Sequence, residues 1–215
     1  MLRPTSDAER GSTMVELMVV LVLMGVIGSI VTGAVVSSLT TSRQADSRMS
    51  AMSDLQRGIE RVGRELRVAD RLELDSNGDF AESIGARVYR GGQRVTYRYY
   101  IAEPDDGEGN PELREDVRRE TVDGDLIEEQ EGLFIADIAN LETGTDLFTY
   151  YAVDPDTEEL EELDCDAKGW SESECRVRHS TASQIRLRLE KLLPEQEPMR
   201  VETVVNIRNT RFETE

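Results

Sequence analysis

With 215 residues and a formal net charge of -19, the chain is long enough for one domain with a real core. It is too acidic for its bulk surface to bind nucleic acid directly, because that binding relies on Lys and Arg displacing counterions from phosphates. Residues 1–11 sum to zero and residues 12–42 carry only Glu16, so a charge of -18 falls on residues 43–215. Such acidity keeps a domain soluble and says little about its fold.

Residues 1–10 are polar. Gly11-Ser12-Thr13-Met14-Val15-Glu16-Leu17-Met18-Val19-Val20 then opens an apolar run reaching Val36, with no charge after Glu16 until Arg43. A span needs about 20 mostly apolar residues to cross a ~30 Å hydrocarbon core. An acid inside it costs at least ~2.5 kcal/mol on insertion scales, so Glu16 reads as functional. The leader is too polar to be the charged start of an ordinary secretory signal peptide. The polar leader, Gly11 before the run, and Glu16 five residues past that Gly resemble a type IV prepilin signal. The resemblance implies cleavage between Gly11 and Ser12 by a prepilin peptidase and N-methylation of Ser12. It also implies that Glu16 pairs with the amino terminus of a neighbouring subunit during assembly. The sequence departs from the family in having Ser12 where Phe is usual, and Asp7 and Glu9 beside Arg3 and Arg10 in the leader. Arg43 and Arg48 flank the far side, against the usual basic cytoplasmic flank, so an amino terminus on the cytoplasmic side rests on the cleavage motif.

From Gln44 the apolar positions are Met49, Met52, Leu55, Ile59, Val62, Leu66, Ala69 and Leu72. Steps of three or four predict an amphipathic helix over 43–74, with Glu60 and Arg64 at i,i+4 on its polar face. Joined to the apolar run it makes one helix of some 60 residues, ~90 Å long. Gly25, Gly28 and Gly33 lie in the front half, where each costs ~1 kcal/mol of helix propensity; they serve close helix approach or mark a weak point.

Asp75-Ser76-Asn77-Gly78-Asp79 is a turn and also a weak calcium candidate through Asp75, Asn77 and Asp79. The acid that closes a calcium loop is missing, since the twelfth position is Ala86. Arg87 to Arg90, Gly91-Gly92 and Gln93 to Ile101 predict a hairpin with a glycine turn. Leu113 to Glu120 reads as a polar strand. Gly132 to Leu141 and Leu147 to Val153 are apolar segments, the first partly helical. Residues 154–180 form a polar insertion holding Cys165, Cys175 and Trp170. Gln184 to Glu190 alternates and is expected to pair with Met199 to Arg208. The acidic runs Glu128-Glu129-Gln130-Glu131 and Glu158-Glu159-Leu160-Glu161-Glu162 read as solvated strand or loop surface rather than as partners of basic neighbours.

Two cysteines in a chain with an export signal imply one Cys165–Cys175 disulfide. The competing readings are free thiols or a metal pair, and the lone His179 and absent CxxC spacing support a metal poorly. No nucleophile motif, phosphate loop or paired catalytic acids stand out, so neither an enzyme nor a cofactor is expected.

The fold class implied is α+β, a long amino-terminal helix packed on an antiparallel sheet. The division is a leader at 1–11, a transmembrane and polymerisation helix at 12–42, and an extracytoplasmic domain at 43–215. Leu55-Gln56-Arg57, Arg64 to Ala69, the Tyr97-Arg98-Tyr99-Tyr100 strand with Leu113-Arg114, Phe148-Thr149-Tyr150-Tyr151 and Val204 to Asn209 are similar to minor pilins of the PilW kind and pseudopilins of the J kind. The resemblance implies a subunit of a type IV pilus or a related secretion or uptake filament, which it initiates or caps. Its partners would be other pilin or pseudopilin subunits, the prepilin peptidase, the inner-membrane assembly platform and the lipid bilayer. Its place would be the cytoplasmic membrane, crossed once with the carboxy-terminal domain outside, and then a cell-surface or periplasmic filament. The alternative is a single-pass anchored binding domain that never polymerises.

Overall fold

A computed structural model describes residues 14–73, 81–103, 109–154, 157–194 and 196–207. Its first element is a helix, α1 (Met14–Val68), which runs unbroken through Gly33. Residues up to Ser47 and from Arg48 onward form separate compact units.

In the first unit the α1 side chains are exposed all round, including Leu17, Val20, Leu23, Ile27, Val31 and Val35. No other described residue of this unit covers them, as expected of a segment whose solvent is lipid. Three of its hydroxyls turn back on the helix. Ser29 Oγ donates to the Val26 carbonyl at 2.8 Å, Thr40 Oγ1 to Val36 at 3.0 Å, and Thr41 Oγ1 to Ser37 at 3.0 Å. An apolar medium requires that internal satisfaction.

In the second unit α1 buries Ala51, Leu55, Gly58, Ile59, Val62, Gly63, Glu65 and Leu66. Met49 and Met52, read as part of the stripe, are exposed instead; the buried face begins with Ala51. The helix expected to reach residue 74 stops at Val68. Asp70 N–H donates to the Arg87 carbonyl at 3.0 Å, and β1 (Arg71–Glu73) pairs with β2 (Ser83–Arg90), placing Leu72 opposite Ala86. Leu72 is therefore buried as a strand residue. The pairing needs Gly85, because a Cβ there would stand 2.6 Å from the Glu73 carbonyl oxygen.

The predicted hairpin is present, joining β2 to β3 (Gln93–Ala102) with Gly91 and Gly92 at φ 59° and 77°. Both values lie in the left-handed region that a two-residue primed turn demands. β4 (Glu112–Thr121) and β5 (Leu126–Ile135) complete an antiparallel sheet in the order β1-β2-β3-β4-β5. The acidic run on β5 faces basic residues of β4: Glu128 pairs with Arg119, and Glu131 with Arg114 at 3.3 Å. Part of that run is thus ion-paired across the strands, not merely solvated, because the register sets β5 acids beside β4 arginines.

After β5 the chain passes through α2 (Asn140–Thr143) into a second antiparallel sheet. This contains β6 (Phe148–Val153), β7 (Leu160–Glu162), β8 (Gln184–Leu193) and β9 (Gln196–Asn206) in the order β7-β6-β8-β9. The expected pairing of the last two strands is confirmed, with Ile185 opposite Val205. One sheet was expected and two are found. Around the crossing, Asn140 Nδ2 donates to the Arg188 carbonyl at 2.9 Å, and Asn140 Oδ1 accepts from the Glu190 N–H at 2.9 Å. Glu190 is buried, held by Arg200 at 2.5 Å and the Thr143 hydroxyl at 2.7 Å.

Side chains of α1 and both sheets form one core, including Leu55, Val62, Leu66, Tyr99, Leu113, Phe148, Ile185, Leu187 and Leu189. Burying each such side chain contributes roughly 1.5–3 kcal/mol before entropy is counted. Gly58 marks where α1 meets both sheets: a Cβ there would approach Ile135 of β5 at 2.4 Å and Leu189 of β8 at 3.4 Å. Ion pairs flank that seam, from Arg61 to Glu115 at 2.5 Å and from Lys191 to Asp54 at 3.0 Å.

Candidate functional sites

Glu16 stands in the first turn of α1, where the partial positive charge of the helix amino terminus favours a carboxylate. It is exposed, on the segment whose apolar side chains are also exposed. Gly11 and Ser12, the cleavage and methylation candidates, lie outside the described residues, as do Asp75, Asn77 and Asp79 of the calcium candidate.

Cys165 and Cys175 form a disulfide, with Cα atoms 5.7 Å apart, inside the usual range for such a bond. The surrounding residues are more ordered than a polar insertion implies. Cys165 opens α3 (Cys165–Lys168), and Cys175 lies in α4 (Glu172–Ser180). Ser171 caps α4: its Oγ accepts the Glu174 N–H, while the Glu174 side chain accepts the Ser171 N–H at 2.9 Å. The sequence reading missed α4; the signal that could have found it is the Ser171-x-x-Glu174 capping-box spacing.

Sequence reasoning treated His179 as isolated; the structure buries it, 4 % exposed, against the disulfide. Its Nε2 lies 3.6 Å from Cys165 Sγ and its Nδ1 3.8 Å from Cys175 Sγ. Nε2 donates to the Leu163 carbonyl at 2.8 Å. The ring stacks on Tyr150 with centroids 4.4 Å apart and planes 15° from parallel. Burial holds the imidazole below its usual pKa, against the opposing pull of Leu163, because a charged ring would lose its hydration there. The missed signal was Cys175-x-x-x-His179: on a helix, i and i+4 share a face.

Residues 7–32 match the family model described as the prokaryotic N-terminal methylation motif. Comparison with curated proteins gives no significant match. The motif, the long apolar amino-terminal helix and the antiparallel sheets support a type IV pilin-like or pseudopilin-like protein. The motif supports a precursor of the kind cleaved by prepilin peptidase, and it is a motif of structural subunits rather than of catalysts. Among the described residues, one helix is long and apolar enough to cross a membrane, which supports anchoring by a single amino-terminal span.

Proposed function

We propose that this chain is a minor pilin or pseudopilin that initiates or caps a type IV pilus or a related secretion or uptake filament. Prepilin peptidase cuts between Gly11 and Ser12, and the new amino group of Ser12 is methylated. Residues 12–42 then hold the protein in the cytoplasmic membrane, with residues 43–215 outside, until the assembly platform extracts it. In the filament these helices form the core and the acidic domains face outward. Glu16 pairs with the terminal ammonium of a neighbouring subunit, since a carboxylate in an apolar core needs a cation. A subunit out of step leaves both charges unpaired, so the pair also sets register.

The observation carrying this reading is the continuity of the methylation motif at 7–32 with an exposed apolar helix starting at Met14. It is tested by intact mass and amino-terminal sequencing of the membrane-extracted chain, with and without co-expressed prepilin peptidase. The expected product begins at Ser12 and carries one extra methyl group. A chain keeping residues 1–11 beside active peptidase identifies an anchored ectodomain instead.

A further inference from the structure

Between α1 and the carboxy-terminal end of β5 the second unit has an open groove of about 710 Å³. Arg57, Arg61 and Arg64 line its α1 wall at i, i+4 and i+7, the spacing of one helix face, and Lys191 of β8 joins them. Asp54 and Glu60 are the acids of the lining. Four cations thus face two carboxylates, in a chain whose net charge is -19. Arg57 pairs with Asp54 at 2.6 Å and Arg64 with Glu65 at 3.6 Å, yet their side chains are 74 % and 66 % exposed. A guanidinium has five N–H donors, so one carboxylate leaves several for a second anion. Leu133, which is exposed, and Phe134, under the Arg61 guanidinium at 5.3 Å, add an apolar lining.

The complementary surface lies on the same chain. Glu158, Glu159, Leu160, Glu161 and Glu162 are all exposed, and β7, which holds the last three, is an outermost strand of its sheet. Glu161 reaches Lys168 at 3.2 Å and Glu162 accepts the Tyr151 hydroxyl at 3.2 Å, while Glu158 and Glu159 have no ion pair to a described residue. One copy cannot join the two surfaces. Tyr151 of β6 stands opposite both Glu162 of β7 and Gln184 of β8, so β7 lies at the Gln184 end of β8. Lys191 stands at the other end, about 23 Å along the strand at ~3.3 Å per residue. Pairing of β5 with the β5 of another copy is disfavoured, since Glu128, Glu129 and Glu131 would meet their own kind.

We propose that the groove beside α1 receives segment 158–162 of a second copy of this chain. Leu160 sets against Leu133 and Phe134, and the glutamates meet Arg57, Arg61 and Arg64. The contact is heterologous: each pair of copies leaves one groove and one acidic segment open, so copies add in a row. It uses no residue of the apolar half of α1 and does not rest on the filament reading.

The test uses the full chain in detergent, with sedimentation velocity over a concentration series at low and high salt. The wild type is expected to associate at low salt and to return to monomer at high salt, because exposed charges are screened. Arg57→Glu with Arg64→Glu abolishes association, and so does Glu159→Arg with Glu161→Arg. The first pair makes the chain more acidic and the second less, so loss in both is not bulk repulsion. Mixing the two doubly substituted chains restores association, because the intact acidic segment of one meets the intact groove of the other. Where a reversal disturbs folding by circular dichroism, Arg57→Gln with Arg64→Gln takes its place in the groove and Glu158→Gln with Glu159→Gln in the acidic segment, each expected to weaken association. A wild-type chain that stays monomeric at low salt overturns the proposal. Association that survives high salt and both double substitutions belongs to the apolar helix and overturns it too, as does loss in both without recovery on mixing.

Discussion

The two halves of α1 solve opposite problems with one backbone. From Met14 to Ser47 every side chain but the last is exposed and nearly all are apolar or hydroxylated. From Arg48 to Val68 one face is buried and the other carries arginines and acids. The front half is stabilised by its surroundings and the rear half by its own sheets, so equivalent substitutions are expected to act differently in each.

The largest effect is expected from Glu16→Ala. Filament incorporation is abolished while membrane insertion persists, as read by fractionating sheared filaments and membranes. Normal incorporation would remove Glu16 from the assembly mechanism. In the rear half, Leu66→Ala leaves a cavity in the buried core and lowers stability by about 2–5 kcal/mol. Leu21→Ala in the front half leaves the denaturant midpoint of the detergent-solubilised domain unchanged. Equal shifts for the two would end the distinction between the halves.

Two glycines sharpen the contrast. Gly85→Ala brings a methyl group against the Glu73 backbone, which has no rotamer with which to escape, and costs about 1–3 kcal/mol. Gly28 has nothing within 4 Å of a built Cβ, so Gly28→Ala improves helix propensity by up to about 1 kcal/mol. Urea unfolding reads the first, and helical dichroism on heating in detergent reads the second. The smallest effect concerns pH. Asp54 is held below its ordinary pKa first by its hydrogen bond from Lys191; desolvation opposes that, and the Lys191 charge and then Arg57 add to the lowering. A carboxylate with a depressed folded pKa contributes stability above its unfolded value, about 3.9, and loses it as pH falls through the folded value. Asp54→Asn should therefore cost under about 1 kcal/mol at pH 7 and progressively less as pH falls below the unfolded value of about 3.9, checked by paired denaturation curves.

Local chemistry was legible wherever neighbours in sequence are neighbours in space. The apolar run with Glu16, the Gly91-Gly92 turn, the alternation from Gln184 to Glu190 and the cysteine pair all express preferences that act over a few residues. Boundaries and long-range neighbours were not. Leu72 extended the helical period, yet it lies in a strand because β2 offers a pairing edge that a further helical turn cannot match. Met49 and Met52 kept that period too, but the domain surface begins at Ala51. His179 carried no partner within its own local sequence motif as first read; a capped helix and the strand bearing Tyr150 bring it to the disulfide.

By itself the sequence determined that this protein carries a prepilin-type amino terminus, a long helix with two differing halves and an antiparallel α+β domain. Periodicity, charge placement and turn residues are properties of short segments. Only the tertiary structure decided that the strands divide into two sheets, that α1 ends at Val68, and that Cys165, Cys175 and His179 converge. Those outcomes depend on which surfaces compete for the same buried space, and that competition is settled between segments far apart in the chain.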